Sequence, residues 1–122
     1  MENTLDDVRR LADELKACRQ ALTALGDETR LHLLGIMLQN TCSGSRVIDI
    51  AAQTNLSRPA VSHHLRVLKD AGIVKSRREG TCIYYYLDPE AEQVNALITL
   101  FCDIREFMKQ VPDRSGDEEC RP

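Results

Sequence analysis

The stretch that decides the fold spans residues 57–74 and reads SRPAVSHHLRVLKDAGIV. Ser57 is a good helix N-cap, and Pro59 lies in the first turn, where a missing backbone N–H costs no hydrogen bond. The buried face of this helix is predicted by apolar residues at helical spacing, namely Val61, Leu65 and Leu68. Gly72 follows the last of them and predicts the end of the helix.

A β-hairpin is predicted directly after this helix. Residues 73–77 and 81–87 form two extended runs joined at Glu79-Gly80, and the second run is rich in β-branched and aromatic residues. Upstream, residues 46–54 predict a shorter helix that a tight turn joins to the first one. Two short helices followed by a hairpin form the order of a winged helix-turn-helix. We therefore expect a mainly α fold with a small β-hairpin.

Apolar heptad stripes mark both ends of the chain. Residues 4–25 predict one helix whose stripe consists of Val8, Leu11, Leu15, Cys18, Leu22 and Leu25. After Pro89, a last helix has the stripe Val94, Leu97, Phe101, Ile104, Met108 and Val111, and Pro112 ends it. Two such stripes exceed what one small core needs, which favours terminal helices that form the interface of a homodimer. The alternative is that both stripes pack inside one chain.

One further helix begins at Asp27, which is a good N-cap. Its buried stripe is predicted to be Leu31, Leu34 and Leu38. Residues 1–112 are therefore expected to form a single winged helix-turn-helix and dimerisation domain. Residues 113–122 are polar and charged and predict a disordered tail.

Charge is distributed unevenly along the 122 residues. The whole chain carries a formal charge of -3, which by itself argues against nucleic acid as a partner. Residues 56–81, however, hold six basic and two acidic residues, a net charge of +4, so the rest of the chain carries -7. A positive field confined to the helix-turn-helix and the hairpin favours contact with DNA phosphates.

Side chains that lie off the buried stripe of residues 57–74 can donate to phosphates and base edges in the major groove. The predicted DNA-binding residues on this helix and the hairpin are Ser57, Arg58, Ala60, Ser62, His63, Arg66, Lys75, Arg77 and Arg78. The alternative is an ordinary solvated polar face. His64 falls on the buried stripe, so we expect it to be packed and hydrogen-bonded.

Other classes of protein find little support. No Ser/His/Asp or Cys/His arrangement and no glycine-rich phosphate loop is present, so we expect no enzyme and no cofactor. The five cysteines form no Cys-x-x-Cys pair, which argues against a zinc ribbon and predicts no metal site. No secretory signal and no apolar run of about 18 residues is found, so we expect a cytoplasmic protein without a membrane partner.

Three stretches resemble the ArsR/SmtB family of repressors: residues 24–31, residues 57–74 and residues 78–87. The resemblance covers roughly residues 5–110, and its middle stretch is highly specific. It implies a homodimeric winged-helix protein that represses an operon until a signal releases it. It also implies that the first and last helices form the dimer interface.

The sensor is where the chain departs from this family. At residues 44–49, Arg46 and Ile48 stand where the arsenic and cadmium sensors carry cysteines. For the zinc and nickel type of site, Asp88 and Glu90 are present, but no histidine follows residue 64. The candidate sensor thiols are Cys18, Cys42 and Cys102, and the alternative is that these cysteines are structural.

The resemblance and the local charge together predict a repressor that binds an imperfect palindrome of double-stranded DNA. An unidentified signal, thiol-based in one version, would release it. The alternative function is a winged-helix protein-interaction module that does not bind DNA.

Overall fold

A computed structural model describes residues 5–40 and 44–112 of the chain. The helices and strands within these ranges are α1 (Leu5–Ala17), α2 (Arg19–Leu25), α3 (Glu28–Gln39), α4 (Val47–Ala52), α5 (Arg58–Asp70), β1 (Val74–Glu79), β2 (Cys82–Leu87) and α6 (Glu92–Met108). This mainly helical architecture with one hairpin confirms the predicted fold class. The predicted tail, residues 113–122, lies outside the described residues. In the two described ranges, no helix is both long and apolar enough to cross a membrane.

The helix predicted from residues 57–74 forms as expected. Ser57 caps it, because its side-chain oxygen accepts a hydrogen bond from the backbone N–H of Ala60 at 3.2 Å. Three apolar residues are fully buried and make the centre of the core: Val61, Leu65 and Leu68. Gly72 takes a positive φ of 78°, which lets the chain leave the helix and enter β1. The same apolar face packs α5 against α4, α3 and α2.

The hairpin pairs β1 with β2 in an antiparallel register from Val74 opposite Leu87 to Glu79 opposite Cys82. Beyond the predicted hairpin, Ser45 pairs with the outer edge of β2. Its N–H donates to the carbonyl of Tyr85 at 2.9 Å, and the N–H of Tyr85 donates back to the Ser45 carbonyl at 2.8 Å. This rung anchors the start of α4 to the wing.

The first predicted helix, residues 4–25, is wrong as one continuous element. The chain breaks at Cys18 (φ -90°, ψ 3°), and α2 turns into the core, where Ala21 and Ala24 are buried. The predicted stripe also holds only in part, since Val8 and Leu15 are about half exposed while Cys18 is buried. A heptad pattern does not report where a helix bends, because both halves can keep the same spacing.

The predicted buried stripe of α3 is also wrong. Leu31 and Leu38 are exposed at 52% and 60%, and Leu34 is half-buried. The buried residues are instead Leu33, Ile36 and Met37. Since this helix carries apolar residues on almost every side, periodicity alone does not distinguish its inner face from its outer face.

The last helix, α6, packs against α1 and divides its predicted stripe between core and surface. Leu97 is buried as predicted, but Phe101 and Met108 are exposed. Leu100, outside the predicted stripe, is fully buried in their place. The helix therefore uses one apolar side for the core and presents another to solvent.

A pair of carboxyl groups lies between α1 and α6. The side chains of Glu14 and Asp103 face each other, and a hydrogen bond between them needs a proton because an ionised carboxylate only accepts. The Oε2 atom of Glu14 is buried and has no hydrogen-bond partner among the described residues. The shared hydrogen bond, burial and the charge of Asp103 together raise the pKa of Glu14, against a smaller opposing effect of Arg10.

The raised pKa of Glu14 predicts that the folded protein becomes less stable as pH rises. The unfolded chain releases the Glu14 proton near the usual pKa of 4.5, whereas the folded chain holds it to higher pH. The free energy of unfolding should therefore fall as pH rises from about 4.5 through the raised pKa of the folded state.

We expect Glu14→Gln to remove this part of the pH dependence and to raise the melting temperature near neutral pH relative to the wild type. Melting temperatures measured at a series of pH values from about 4.5 to neutral test this expectation. Asp13→Asn is the control, because Asp13 is exposed on the same helix and should keep the wild-type slope. Equal slopes for wild type and Glu14→Gln would contradict the shared proton.

Candidate nucleic-acid interface

The outward side of α5 carries the predicted DNA-binding residues of this helix. Arg58, His63 and Arg66 are exposed, as is the cap residue Ser57. Ala60 and Ser62 are half-buried between that side and the core. The first-turn amides of a capped helix point outward with a partial positive charge, which suits a phosphate oxygen. The structure therefore brings the six predicted residues together along one helix.

The wing divides its three predicted residues between its two faces. Lys75 and Arg77 lie on one face, opposite Tyr86 and Tyr84 in the register, while Arg78 is exposed on the other. The guanidinium carbon of Arg77 lies 4.9 Å from the centre of the Tyr84 ring, and Nε is 3.4 Å from the carboxylate of Glu79. Arg77 is thus stacked against the strand, which restricts how far it can extend.

At the base of the wing, Lys75 forms an ion pair with Asp88 at 2.8 Å. The hydrogen bond and the charge of Lys75 lower the pKa of Asp88, and Asp88 in turn raises the pKa of Lys75. The Lys75 side chain stays half exposed, so it remains accessible to a phosphate while its charge is partly balanced.

A second polar contact joins the wing to α4. Arg46 Nε donates to Asp49 at 3.0 Å, and Nη1 lies 3.8 Å from the Cys82 sulfur on β2. The hydrogen bond to Asp49 and the contact with Cys82 raise the pKa of Arg46. Cys82 is half-buried in this contact.

Behind α5, His64 is half-buried and hydrogen-bonded, as the sequence predicts. Its partner, Arg30 on α3, was missed. Arg30 Nη1 lies 3.2 Å from His64 Nδ1, Nε donates to the carbonyl of Ala24 at 2.7 Å, and Nη2 is 3.9 Å from the carboxylate of Asp27. The available signal was the spacing of Asp27 and Arg30, three residues apart at the start of a helix.

The candidate sensor thiols occupy different environments. Cys18 is 2% exposed at the junction of α1 and α2, whereas Cys102 is exposed on α6. Cys42 lies outside the described residues. Among the described residues, no group of three or more His, Cys, Asp or Glu side chains is placed to hold a metal ion.

These features define a winged helix-turn-helix transcriptional regulator, and comparison with known proteins identifies the family. Residues 27–76, from the cap of α3 into β1, match the family model described as bacterial regulatory protein, arsR family. An HTH-type transcriptional regulator of Methanocaldococcus jannaschii is 36% identical over 88 residues, covering 70% of this chain and 96% of that protein. The chain therefore belongs to the ArsR family of bacterial regulatory proteins.

Two further relatives extend the similarity towards the chain ends. A transcriptional repressor SmtB homolog of Synechocystis is 32% identical over 113 residues, covering 87% of this chain and 79% of that protein. The solution structure of a homodimeric winged helix-turn-helix DNA-binding domain from Mycobacterium bovis, a possible ArsR-family regulator, is similar with a TM-score of 0.56 and 25% identity. That match covers 92% of this chain and 94% of the other.

The wing anchor depends on Gly44, which precedes the Ser45 rung with a φ of +85°. A Cβ at this position would lie 3.0 Å from the Tyr85 carbonyl oxygen. We expect Gly44→Ala to destabilise the chain by about 1–3 kcal/mol, because alanine is strained at this left-handed φ and its Cβ would be in tight contact with the Tyr85 carbonyl oxygen.

Urea unfolding measures this effect. Gly35→Ala on α3 is the matched control, since its Cβ would meet nothing within 4 Å and alanine favours a helix. We expect the control to be stabilised. Equal stability of Gly44→Ala and the wild type would show that the rung tolerates a side chain.

Proposed function

We propose that this chain acts in the cytoplasm as a homodimeric repressor that binds an imperfect palindrome of double-stranded DNA. The observation that carries the proposal is the net charge of +4 over residues 56–81, which lies on the outward side of α5 and the wing of an otherwise acidic chain. Such a local field attracts phosphates while the remaining negative charge limits non-specific binding. The proposal assigns the chain no catalytic role.

In the proposed complex, the N-terminal half of α5 enters the major groove. Arg58 and His63 are exposed donors near the start of this helix and would face base edges. Ser57 and the first-turn amides, together with Arg66, would hold the adjacent phosphates. Arg78 at the wing would meet the flanking backbone, with Lys75 and Arg77 contributing from the other face. The half-buried Ala60 and Ser62 would set how closely the helix approaches the groove.

The terminal helices supply the proposed dimer surface. Large apolar residues stand exposed on both α1 and α6, namely Leu5, Val8, Leu15, Ile98, Phe101 and Met108. An apolar surface of this kind is typical of a protein–protein interface. The homodimeric relative from Mycobacterium bovis supports the same assembly. A two-fold axis would place the two copies of α5 about 34–36 Å apart, one turn of DNA.

A release signal completes the proposal. In its thiol-based version, the signal would act first on Cys102, because this thiol is exposed on a helix of the proposed dimer surface. Cys18 is buried in the core, so its thiol would react only after α1 and α2 move apart.

DNA binding is tested by fluorescence anisotropy with the DNA upstream of the gene for this chain. We expect Arg58→Ala, His63→Ala and Arg78→Ala each to weaken binding by about tenfold. Arg58→Ala and Arg78→Ala should also reduce the slope of log affinity against log salt by about one, because each removes a cation.

Arg19→Ala is the control for these variants, since Arg19 is an exposed cation on α2 and is not among the predicted DNA-binding residues. It should bind like the wild type. Wild-type protein that binds no DNA would contradict the proposal and favour a protein-interaction module instead.

The dimer is tested by sedimentation equilibrium with Phe101→Asp. Phe101 is 56% exposed on α6, and a carboxylate there should convert the dimer to monomer because its charge would be buried between two copies. Ile83→Asp is the matched control, an exposed apolar residue on the wing that should leave the dimer intact. A dimer that persists in Phe101→Asp would place the interface elsewhere.

A further inference from the structure

The chemistry of Arg30 and His64 determines which protonation state of the histidine fits the structure. A guanidinium has only donors, so His64 Nδ1 must accept the hydrogen bond from Arg30 Nη1. The ring is therefore neutral and carries its proton on Nε2. A proton on Nδ1 would face the donor of Arg30 and add a second positive charge beside it.

Arg30 is itself held in place from two other sides. Its Nε donates to the Ala24 carbonyl at the end of α2, and its own backbone N–H donates to the cap residue Asp27 at 3.0 Å. The Arg30 side chain is 13% exposed, so its position is set by these partners rather than by solvent. His64 thus meets a donor that is fixed relative to α2 and α3.

The contact between Arg30 and His64 restricts the rotation of α5 about its axis, which the apolar face of the helix does not fix. Burial of Val61, Leu65 and Leu68 keeps α5 on the core, but apolar packing is non-directional and tolerates small rotations of the helix about its axis. A hydrogen bond has a preferred angle and distance. His64 is adjacent to His63, whose ring centre lies 5.4 Å away on the exposed side of the helix. A rotation of α5 about its axis that shifts His64 therefore shifts His63 as well.

We propose that Arg30 and neutral His64 are positioning residues for DNA recognition, and that their contact sets the rotation of α5 and thus the direction in which Arg58 and His63 face the groove. This inference rests on the proposed DNA binding. Neither residue needs to touch DNA in this role, because both act through the orientation of the helix.

The test compares two substitutions of His64 by DNA anisotropy at a temperature where circular dichroism shows each protein to be folded. His64→Leu removes the acceptor and should weaken binding by about tenfold. His64→Asn keeps a neutral acceptor near the position of Nδ1, so it should bind within about twofold of the wild type. Val67→Ala is the control for lost packing on the same helix, and it should keep the wild-type affinity.

Should His64→Leu fail to fold, Arg30→Lys tests the same contact, because one ammonium does not reach both Ala24 and His64 with the geometry of a guanidinium.

The outcomes separate this inference from the function on which it rests. If the wild type binds DNA and folded His64→Leu binds equally well, the positioning role is overturned and the proposed function is not. The same conclusion follows if His64→Asn binds DNA as weakly as His64→Leu. Wild type that binds no DNA overturns the proposed function and this inference with it.

Discussion

Burial of one face of α5 is the constraint on which the candidate interface depends. Val61, Leu65 and Leu68 are fully buried, and each contributes about 1.5–3 kcal/mol by leaving water. Because side chains follow a helix at fixed angular steps, this burial leaves Arg58 and His63 on the solvent side. A large rotation of α5 would expose three apolar residues, so the basic side stays outward.

Polar contacts then fix the orientation of α5 and of the wing, which apolar burial alone does not determine. Arg30 links α5 to the ends of α2 and α3 through His64, while the Ser45 rung and Arg46 link the wing to the start of α4. These contacts hold α5, which would enter the DNA groove, and the wing, which would flank it, on one scaffold made of α2, α3 and α4. The exposed apolar residues of α1 and α6 remain for a second copy of the chain, which would set the spacing between two such scaffolds.

Prediction succeeded where the signal is local. The Ser57 cap, the buried spacing of α5 and the hairpin each depend on residues within a few positions of one another, and all three form as expected. Prediction failed for the buried face of α3, because a helix that is apolar on most sides offers several possible faces. It failed again at Cys18, where the heptad spacing continues through a break in the helix.

The sequence by itself determined the helix-turn-helix, the wing and the local excess of positive charge, since turn chemistry, capping and periodicity operate over short distances along the chain. Only the tertiary structure decided which sides of α1, α3 and α6 face the core, and it alone joined Arg30 to His64 across 34 residues. Contacts between distant segments depend on how all the elements pack at once. That packing minimises exposed apolar surface over the whole molecule rather than within any one helix.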